Sequence, residues 1–505
     1  MTLRSNRFLF LGAATLVGAA VAGACGSDDS APNGAQPSTG GATGSGGASG
    51  SSGRGAGGSA GNAGSAGDSG AGGAGGQLPD GAIPDATAGS SGQGGTGTTD
   101  ARADSRPTCD AGTTPMPTGR TIDVTPPTTL ASALGGAQPG DKIVLHAGSY
   151  GTETISNVHF ASFVFIEAAA GQTVTMPGLR FRGSDHIAIR GVHFNGTVQL
   201  DASHDFMFHE ATFDAGTSGE AALHLHGQGS GGASHDVLVT KSTLRGGGRT
   251  VFVLGRFAPS EQWNHHITFV DNDISCGMNV CFQLSGARDM TIESNRINST
   301  QTSGVLTAGA TRITIAQNRF KGTSGRATAM QIASPGMEWD NYAGVENMIS
   351  SAITIANNVV DGFGSGVQLD AARAVTIVYN TVAEGTGIRF NHRTPHDQQG
   401  NVILDGNSEI RVWNNILPSI SLAGGEERPT FESNNVVQNG GGGANLITDP
   451  PAFASGADYP LSANSPAVDA ALINSETPLV DYEGNARGTD PDIGARELGA
   501  TPACP

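Results

Sequence analysis

Residues 353–370 read ITIANNVVDGFGSGVQLD. Apolar and polar residues alternate in both halves of this stretch, and paired asparagines and several glycines lie between them. Near-copies of the first half recur along the chain as MTIESNRI (290–297), ITIAQNRF (313–320), VTIVYNTV (375–382) and IRVWNNIL (410–417). Alternation with a period of two residues indicates short β-strands, and the recurrence of one strand indicates a repeat protein.

The shared pattern is apolar-x-apolar-x-x-Asn-x-apolar. Its copies begin 19 to 40 residues apart; the short intervals define the unit, and the long ones indicate the same unit with an insertion. This spacing is typical of stacked-repeat architectures. The copies begin at Ile187, Phe206, Val237, Ile267, Met290, Ile313, Ile353, Val375, Ile410 and, more weakly, Thr430.

Each unit also holds a second short strand after a glycine-rich turn. Examples are ALHLHG (222–227), FQLSGA (282–287), AMQIAS (329–334), GVQLDA (366–371) and GIRFNH (387–392). Strands this short, without helical periodicity between them, disfavour a βαβ fold. They predict a parallel β-helix of about ten to twelve turns, stacked at about 4.8 Å around one long core.

An asparagine occupies the sixth position of the pattern in seven consecutive copies. We expect the side-chain amides to hydrogen-bond from turn to turn, and the asparagines to adopt the left-handed backbone of a bend. The first three copies carry Val192, Ala211 and Ser242 there, so the ladder is predicted to begin at the fourth. Its members are Asn272, Asn295, Asn318, Asn358, Asn380, Asn415 and Asn435.

With these repeats, residues 119–498 resemble the right-handed β-helix proteins of the pectate-lyase type. TLASALGGAQPGDKIVLHAGSYGTETI (129–155) is similar to their capping helix and first strands, and SPAVDAALINSETPLVDYEGNARGTDPDIGARE (465–497) resembles the Asp-Ile-Gly-Ala-x-Glu tail of secreted members. The resemblance implies an all-β fold, a single-stranded right-handed parallel β-helix. It implies no single chemistry, because this fold hosts lyases, hydrolases, esterases and adhesins.

The amino-terminal region has the pattern of an exported protein. Residues 1–24 combine two arginines with an apolar run, which predicts a signal peptide, and the residues before Cys25 resemble the lipobox of bacterial lipoproteins. Cys25 is therefore the expected lipidation site. Because Gly26 follows it, where an aspartate would signal retention in the inner membrane, we expect a lipid anchor in the outer membrane, on its surface or periplasmic side. Secretion is the alternative.

The rest of the chain divides by composition. Residues 25–106 are almost wholly small or polar and predict a disordered tether, because such a segment has too little apolar surface to fold. Residues 107–498 form the predicted β-helix domain, and 499–505 a carboxy-terminal tail. From residue 107 onward there are 22 basic and 38 acidic residues, which disfavours nucleic acid as a partner and leaves carbohydrate and calcium open. We expect a monomer.

Five cysteines are present. Cys276 and Cys281 are close in sequence and are predicted to form a disulfide in an oxidising compartment. Cys109 and Cys504 flank the domain, and their pairing stays open. No cysteine or histidine spacing indicates a zinc site.

Insertions after the second strand predict the functional side of the coil. The large ones span about 226–236, 255–266, 334–351 and 391–407, and loops on one side of a solenoid commonly form its binding wall. The outward positions of the second strand should stack into a polar track that a linear polysaccharide could follow. One column holds His224, Gln283, Leu306, Gln331, Gln368 and Arg389, and the next holds His226, Ser285, Ala308, Ala333, Asp370 and Asn391.

The segment GIRFNHRTPHDQQ (387–399) supplies the candidate catalytic residues Arg389, His392 and Arg393. β-Elimination from a uronate needs a group that neutralises the carboxylate, a base and a proton donor. Either arginine could neutralise the carboxylate, and histidine or tyrosine could transfer the protons. The candidate substrate-binding residues are Gln331, Trp339, Tyr342, Gln368, Asp370, Asn391 and His396.

A second pair of candidates rests on resemblance alone. VLVTKS (237–242) followed by VFVLGR (251–256) is similar to the Lys-then-Arg passage of chondroitinase-B-like and alginate lyases, which nominates Lys241 and Arg256. The signatures of polygalacturonases are absent, which disfavours a two-carboxylate hydrolase. The sequence thus predicts a lyase of acidic glycans, with calcium as a candidate cofactor. The alternative is a non-catalytic carbohydrate-binding or adhesin-like surface protein.

Overall fold

The computed structural model describes residues 115–500 apart from 218–220, 228–231, 247, 256–261, 278–279, 324, 335–348, 397–399, 424–425, 427, 441–442 and 455–458. The regular secondary structure of the described chain is β-strand, with one short helix, α1 (Leu130–Gly135). In chain order the strands are β1 (Thr121–Val124), β2 (Lys142–Leu145), β3 (Gly148–Ser149), β4 (Glu153–Ser156), β5 (Val164–Ala168), β6 (Val174–Met176), β7 (Leu179–Arg182), β8 (Asp185–Arg190), β9 (His193–Phe194), β10 (Val198–Asp201), β11 (His204–His209), β12 (Thr212–Asp214), β13 (Ala221–His226), β14 (His235–Thr240), β15 (Thr243–Arg245), β16 (Arg249–Leu254), β17 (Asn264–Val270), β18 (Asp273–Cys276), β19 (Phe282–Glu293), β20 (Arg296–Ser299), β21 (Val305–Ala316), β22 (Arg319–Gly322), β23 (Thr328–Ala333), β24 (Ser351–Ala356), β25 (Val359–Asp361), β26 (Ser365–Asp370), β27 (Arg373–Val378), β28 (Thr381–Val382), β29 (Thr386–Asn391), β30 (Arg411–Trp413), β31 (Ile416–Ala423), β32 (Phe431–Ser433) and β33 (Val436–Asn439).

These strands form three parallel sheets, which we call A, B and C in the order in which the chain visits them. Each turn of the coil adds one strand to each sheet. The A strands are β1, β2, β5, β8, β11, β14, β17, the second halves of β19 and β21, β24, β27, β30 and β32. The B strands are β3, β6, β9, β12, β15, β18, β20, β22, β25, β28, the first part of β31, and β33. The C strands are β4, β7, β10, β13, β16, the first halves of β19 and β21, β23, β26, β29 and the second part of β31.

The predicted parallel β-helix is confirmed. Eleven turns contain all three strands, within the predicted range. The sequence predicts two strands per turn, however, and the structure has three. The pattern misses the B strands because most contain only two to four residues, too few to display an alternation of their own.

One hydrophobic core fills the coil. The aligned A-strand residues Ile187, Phe206, Val237 and Ile267 are at most 2% exposed, and each such side chain contributes about 1.5–3 kcal/mol when fully buried. Helix α1 closes the amino-terminal end with its buried apolar side, as the resemblance implies. The Glu153 carboxylate on C strand β4 accepts hydrogen bonds from the first two backbone amides of α1, at 2.8 and 2.9 Å.

The asparagine ladder is present in the predicted register. From Asn272 to Asn435, each side-chain amide donates to the Oδ1 of the next at 2.9–3.1 Å. All seven are at most 2% exposed. Ser242 extends the ladder one turn back, since its backbone N–H donates to Asn272 Oδ1 at 2.9 Å and its hydroxyl accepts from the amide of Ala211 at 3.1 Å. These residues satisfy buried backbone groups at the A–B bend.

One expectation about the ladder is wrong. The left-handed residue is the one before each asparagine, with φ between 47° and 57°. Its conformation makes the bend and lets the following amide turn inward, so the ladder residue itself keeps an ordinary backbone. The left-handed residues are Asp271, Ser294, Gln317, Asn357, Tyr379, Asn414 and Asn434.

The carboxy-terminal segment packs back against the A–B bend. Arg487 donates to Asn357 Oδ1 at 2.9 Å, pairs with Glu497 at 3.0 Å, and lies 4.0 Å from the ring centroid of Tyr379. The amide of Gln317 donates to the carbonyl of Asp481 at 2.7 Å. At these turns the A–B bend is therefore covered by the chain itself.

Outside the described residues lie the predicted signal peptide and tether, together with Cys25, Cys109 and Cys504. Cys276 and Cys281 form a disulfide at the B–C corner, with Cα atoms 5.1 Å apart. Among the described residues, no helix has the length and apolar character needed to cross a bilayer.

Candidate functional site

The outward side chains of the C strands stack into two columns, and together they form what we call the C face. Strand register aligns Arg180, Gln199, His224, Phe252, Gln283, Leu306, Gln331, Gln368, Arg389 and Ser421 in the first column. The second column holds Arg182, Asp201, His226, Leu254, Ser285, Ala308, Ala333, Asp370, Asn391 and Ala423. Between His224 and Arg389 the order is the predicted one, with Phe252 and Leu254 added at a turn that the prediction skipped, and both columns extend further than predicted at each end.

Asp370 is the centre of a hydrogen-bonded group near the carboxy-terminal end of this face. Its carboxylate accepts from the side-chain amides of Gln331 at 2.8 Å, Gln368 at 2.9 Å and Asn391 at 2.8 Å. The side chain is completely buried. Three donors from three successive turns satisfy a carboxylate that would otherwise be costly to bury. Asp370 therefore orients the amides and is not itself open to a ligand.

Arg389 lies beside this group and is exposed. It follows Gln368 directly in the first column. Within the ranges that the structure describes, Arg389 has no carboxylate at ion-pair distance. An exposed guanidinium without a protein partner can bind a ligand carboxylate through two hydrogen bonds.

His392 follows the end of β29 and lies between two carboxylates. Its Nε2 is 3.1 Å from Asp405 Oδ1, and its Nδ1 is 3.3 Å from Glu426 Oε1. Glu426 is buried and also accepts from the backbone amide of Asn407 at 3.2 Å. The hydroxyl of Thr394 donates to Asp405 at 2.9 Å. These contacts fix the imidazole ring at the edge of the C face.

The other candidates are distributed over two regions. Arg393 is exposed, and His396 is half-buried and pairs through its backbone with Val402; both follow β29 in the loop of His392. Lys241 lies at the A–B bend after β14, with φ 51°, so it belongs to a different corner from the C face. Its nominated partner Arg256 lies outside the described residues, as do Trp339 and Tyr342.

The four predicted insertions all leave the coil at one corner. Each lies between the end of a C strand and the start of the next A strand: after β13, β16, β23 and β29. Their common origin places the loops along one border of the C face. The insertions thus share one side of the coil, as expected, and the location of the functional residues on this side stays a prediction.

Sequence reasoning missed a second polar group, at the amino-terminal end of the C face. Its centre is Asp201, whose carboxylate accepts from Gln199 at 2.6 Å and pairs with Arg180, with Arg182 at 3.3 Å and with His226 at 3.5 Å. Burial alone would raise the pKa of Asp201, but the hydrogen bonds from His226, Gln199 and Arg180 outweigh it and lower the pKa to about 2. The signal was available, because VQLDA (198–202) recurs unchanged at 367–371.

A stack of rings adjoins this group in the first column. The His224 ring lies 4.9 Å from the ring of Phe252, with an angle of 17° between the planes, and the Arg249 guanidinium lies 4.4 Å from the Phe252 centroid. His224 is only 6% exposed, and its Nε2 has no hydrogen-bond partner among the described residues. Burial, with the charges of His226 and Arg249 as lesser causes, lowers the pKa of His224 to about 4. The packed rings of His224 and Phe252 thus form a rigid base for this part of the C face.

Histidines also line the neighbouring C–A corner. The rings of His204, His235 and His265 stack in parallel, with centroids 4.6 and 4.8 Å apart. Burial, helped by Arg288, lowers the pKa of His265 to about 4. In the described parts of the chain, no group of three or more His, Cys, Asp or Glu side chains is arranged to hold a metal ion.

Comparison with known families agrees with this geometry. Residues 177–337 match the model of the right handed beta helix region. The fold is a right-handed parallel β-helix. The match covers the turns from the Arg180 strand to the insertion after β23, so both columns of the C face begin inside it. No curated protein matches the chain in sequence.

Several solved β-helix structures are similar to this one at low sequence identity. Pectate lyase Pel9A is 15% identical, with 76% of this chain and 97% of that chain covered and a TM-score of 0.41. The surface protein and adhesin PfbA of Streptococcus pneumoniae is 12% identical, covering 63% and 93%, with a TM-score of 0.40. A PL6 family polysaccharide lyase from Pseudopedobacter saltans is 15% identical, covering 68% and 98%, with a TM-score of 0.37.

Proposed function

We propose that this protein binds polysaccharide along the C face and cleaves an acidic, uronate-containing glycan by β-elimination. The observation that carries the proposal is the exposed Arg389, which follows Gln331 and Gln368 in the first column of the C face and has no carboxylate partner among the described residues. The outward polar side chains of the C face follow one another across the strands, along the axis of the coil, in the direction that a linear polymer would follow. Similar proteins with the same fold include polysaccharide lyases and an adhesin.

The reaction makes three demands on the site. A base removes the proton on the carbon next to the uronate carboxyl, the freed electron pair forms a carbon–carbon double bond, and the glycosidic carbon–oxygen bond breaks as its oxygen takes a proton. The negative charge that develops on the carboxylate must be neutralised. Arg389 fits this role, with Arg393 as a second cation in the same loop.

His392 fits the role of proton donor to the leaving oxygen. Each of its ring nitrogens faces a carboxylate oxygen, from Asp405 and from Glu426, an arrangement suited to a ring that gives up a proton and is then reprotonated. The base would come from the same corner, where His396 is the described candidate and Tyr342 lies outside the described residues. The amides of Gln331, Gln368 and Asn391, held by Asp370, would contact sugar hydroxyls.

A non-catalytic carbohydrate binder is the second candidate function. The observation that favours it is the hydrogen bonding of Asp370 by three amides, which leaves no free carboxylate on the described strands β23, β26 and β29 of this face. In either case we propose that Cys25 anchors the protein to the outer membrane and that the tether carries the β-helix away from it, with secretion as the alternative. Calcium remains a candidate cofactor, and a monomer the expected state.

The test is to incubate the protein with alginate, pectate and chondroitin, with and without calcium, and to follow the ultraviolet absorbance of the new double bond. We expect one of these glycans to be cleaved, and Arg389→Ala and His392→Ala each to lower turnover by about 100-fold or more. Arg296→Ala, an exposed arginine on a B strand, is the matched control and should keep full activity.

The two candidate functions give different results in this test. If none of the glycans is cleaved but one binds in a pull-down, the lyase is excluded for these glycans and the binder remains. If Arg389→Ala keeps full turnover, the site lies elsewhere, and Lys241 and Arg256 become the next residues to substitute.

A further inference from the structure

The C face has a second centre of positive charge at the opposite end from Arg389. Arg180 and Arg182 lie on β7, one turn before Asp201. Both pair with the same carboxylate, so two guanidinium groups share one negative charge. The Arg182 side chain is 51% exposed. This end of the face therefore keeps unneutralised positive charge at the surface of a protein whose net charge is −18.

The group around Asp201 is built as a fixed site. Gln199 and His226 also contact the carboxylate, at 2.6 and 3.5 Å, and so hold Asp201 between its two arginines. The adjoining His224 is 6% exposed and packs against the ring of Phe252. Its buried Nε2 has no partner among the described residues. A rigid, packed surface that carries a buried polar atom without a hydrogen-bond partner, next to exposed cations, is typical of a binding site.

The two charged ends are in register. Arg180 and Arg389 belong to the same column and are separated by eight strand spacings, or about 38 Å at about 4.8 Å per spacing. The positions between the charged ends are mostly uncharged. In the middle turns the two columns hold Gln283, Ser285, Leu306, Ala308, Gln331 and Ala333.

We propose that Arg180 and Arg182 bind the acidic group of a sugar, a carboxylate or a sulfate, on the same glycan chain whose cleavage site lies at Arg389. A pyranose residue in an extended chain advances by about one strand spacing, so the two ends engage sugars about eight residues apart and a chain of about nine sugars or more is needed to reach both. The consequence is selection for long acidic polysaccharides over short fragments, because one chain that reaches both sites binds with the combined strength of two contacts. This inference rests on the proposed function.

The experiment compares a uronate decasaccharide with a trisaccharide by titration calorimetry. All proteins carry His392→Ala, which prevents turnover during the titration. In this background we expect one decasaccharide per chain, bound at least about tenfold more tightly than the trisaccharide. The trisaccharide cannot reach both ends, so it should occupy two independent sites.

Arg182→Ala should weaken decasaccharide binding about tenfold and leave a single trisaccharide site. The fold should survive, because Arg180, Gln199 and His226 still contact Asp201, and the thermal unfolding temperature provides the check. Arg190→Ala is the matched control. Arg190 is 55% exposed and pairs with Glu210 at 2.9 Å on the A–B side, and its loss should change neither affinity nor stoichiometry.

The outcomes separate the two proposals. If the decasaccharide binds but Arg182→Ala changes neither its affinity nor the number of trisaccharide sites, the second site does not exist, while the proposed function stands. If no acidic oligosaccharide binds even with Arg182 and Arg389 intact, the proposed function fails and this inference fails with it. A parallel titration with a chondroitin sulfate decasaccharide identifies the acidic group: the source that shows the larger loss in Arg182→Ala is the one bound at this end.

Discussion

The pentapeptide VQLDA occurs twice on the C face, in β10 and in β26. In both copies the glutamine amide donates to the aspartate two residues later, at 2.6 Å for Gln199 and 2.9 Å for Gln368. The neighbouring turns differ. Asp201 faces two arginines and a histidine, whereas Asp370 receives only neutral amides.

The same local sequence therefore yields two different environments. At Asp201 the adjacent turns leave positive charge at the surface, which suits the binding of an anion. At Asp370 the adjacent turns bury the carboxylate and use it to orient amides, and the exposed charge belongs to Arg389 one turn further on. In a stacked repeat, the role of a side chain is set by the residues above and below it rather than by its neighbours in sequence.

Removing each carboxylate should expose this difference most strongly. We expect Asp370→Ala to lower the free energy of unfolding by about 3 kcal/mol, because it leaves three oriented amides without their acceptor at a fully buried position. Asp201→Ala should cost about 1 kcal/mol, since its arginines can turn to solvent. Urea denaturation of the two variants side by side measures both values. Equal losses would mean that the two copies are not different environments.

The carboxylate of Glu293 shows how a buried acid of this fold behaves when it lacks the hydrogen-bond donors that Asp201 and Asp370 have. Glu293 ends β19, and its Oε1 is buried with no hydrogen-bond partner among the described residues. Burial, with Asp271 nearby, raises the pKa of Glu293 to about 7. The folded state then holds more protons than the unfolded chain between about pH 4.5 and pH 7, so the free energy of unfolding should fall as the pH rises through this window.

Glu293→Gln removes this titration. We expect it to stabilise the protein by about 1–2 kcal/mol near pH 8 and to have almost no effect near pH 5. Thermal unfolding at the two pH values provides the measurement. An equal effect at both would show that Glu293 is not protonated in the folded protein at low pH.

Asp201 should change the free energy of unfolding with pH in the direction opposite to Glu293. This is the smallest of the effects that we predict. With its pKa lowered to about 2, below the ordinary value of about 3.9, this carboxylate stabilises the fold above about pH 4, and that contribution is lost as the pH falls toward 2. Asp201→Asn should therefore cost about 1 kcal/mol near pH 6 and almost nothing near pH 2. A cost that persists at low pH would point to lost packing rather than lost charge.

Much of the fold follows from the sequence because the repeat is short and regular. The asparagine positions and the apolar A-strand positions predict the ladder and the core directly. The B strands escape because Thr381–Val382, for example, is too short to carry a pattern. The left-handed position before each asparagine is not predicted because several residue types occupy it, among them Tyr379 and Gln317.

The candidate site is less predictable for a physical reason. Arg182, Asp201 and His226 are 19 and 25 residues apart in sequence, and only the stacking of β7, β10 and β13 brings them together. Insertions of different length shift the register of every later turn, so a column can be followed only where each strand has been recognised. The expected columns begin at His224 and therefore miss Arg180, Arg182 and Asp201.

The central claim is that the C face binds an acidic glycan along the axis of the coil. The most direct test is a crystal structure of the His392→Ala protein with a bound uronate decasaccharide. The account predicts sugars running across the C strands, with one carboxylate on Arg389 and another on Arg180 or Arg182. Sugars bound at the A–B bend near Lys241 and Glu293, or across the B strands, would contradict it.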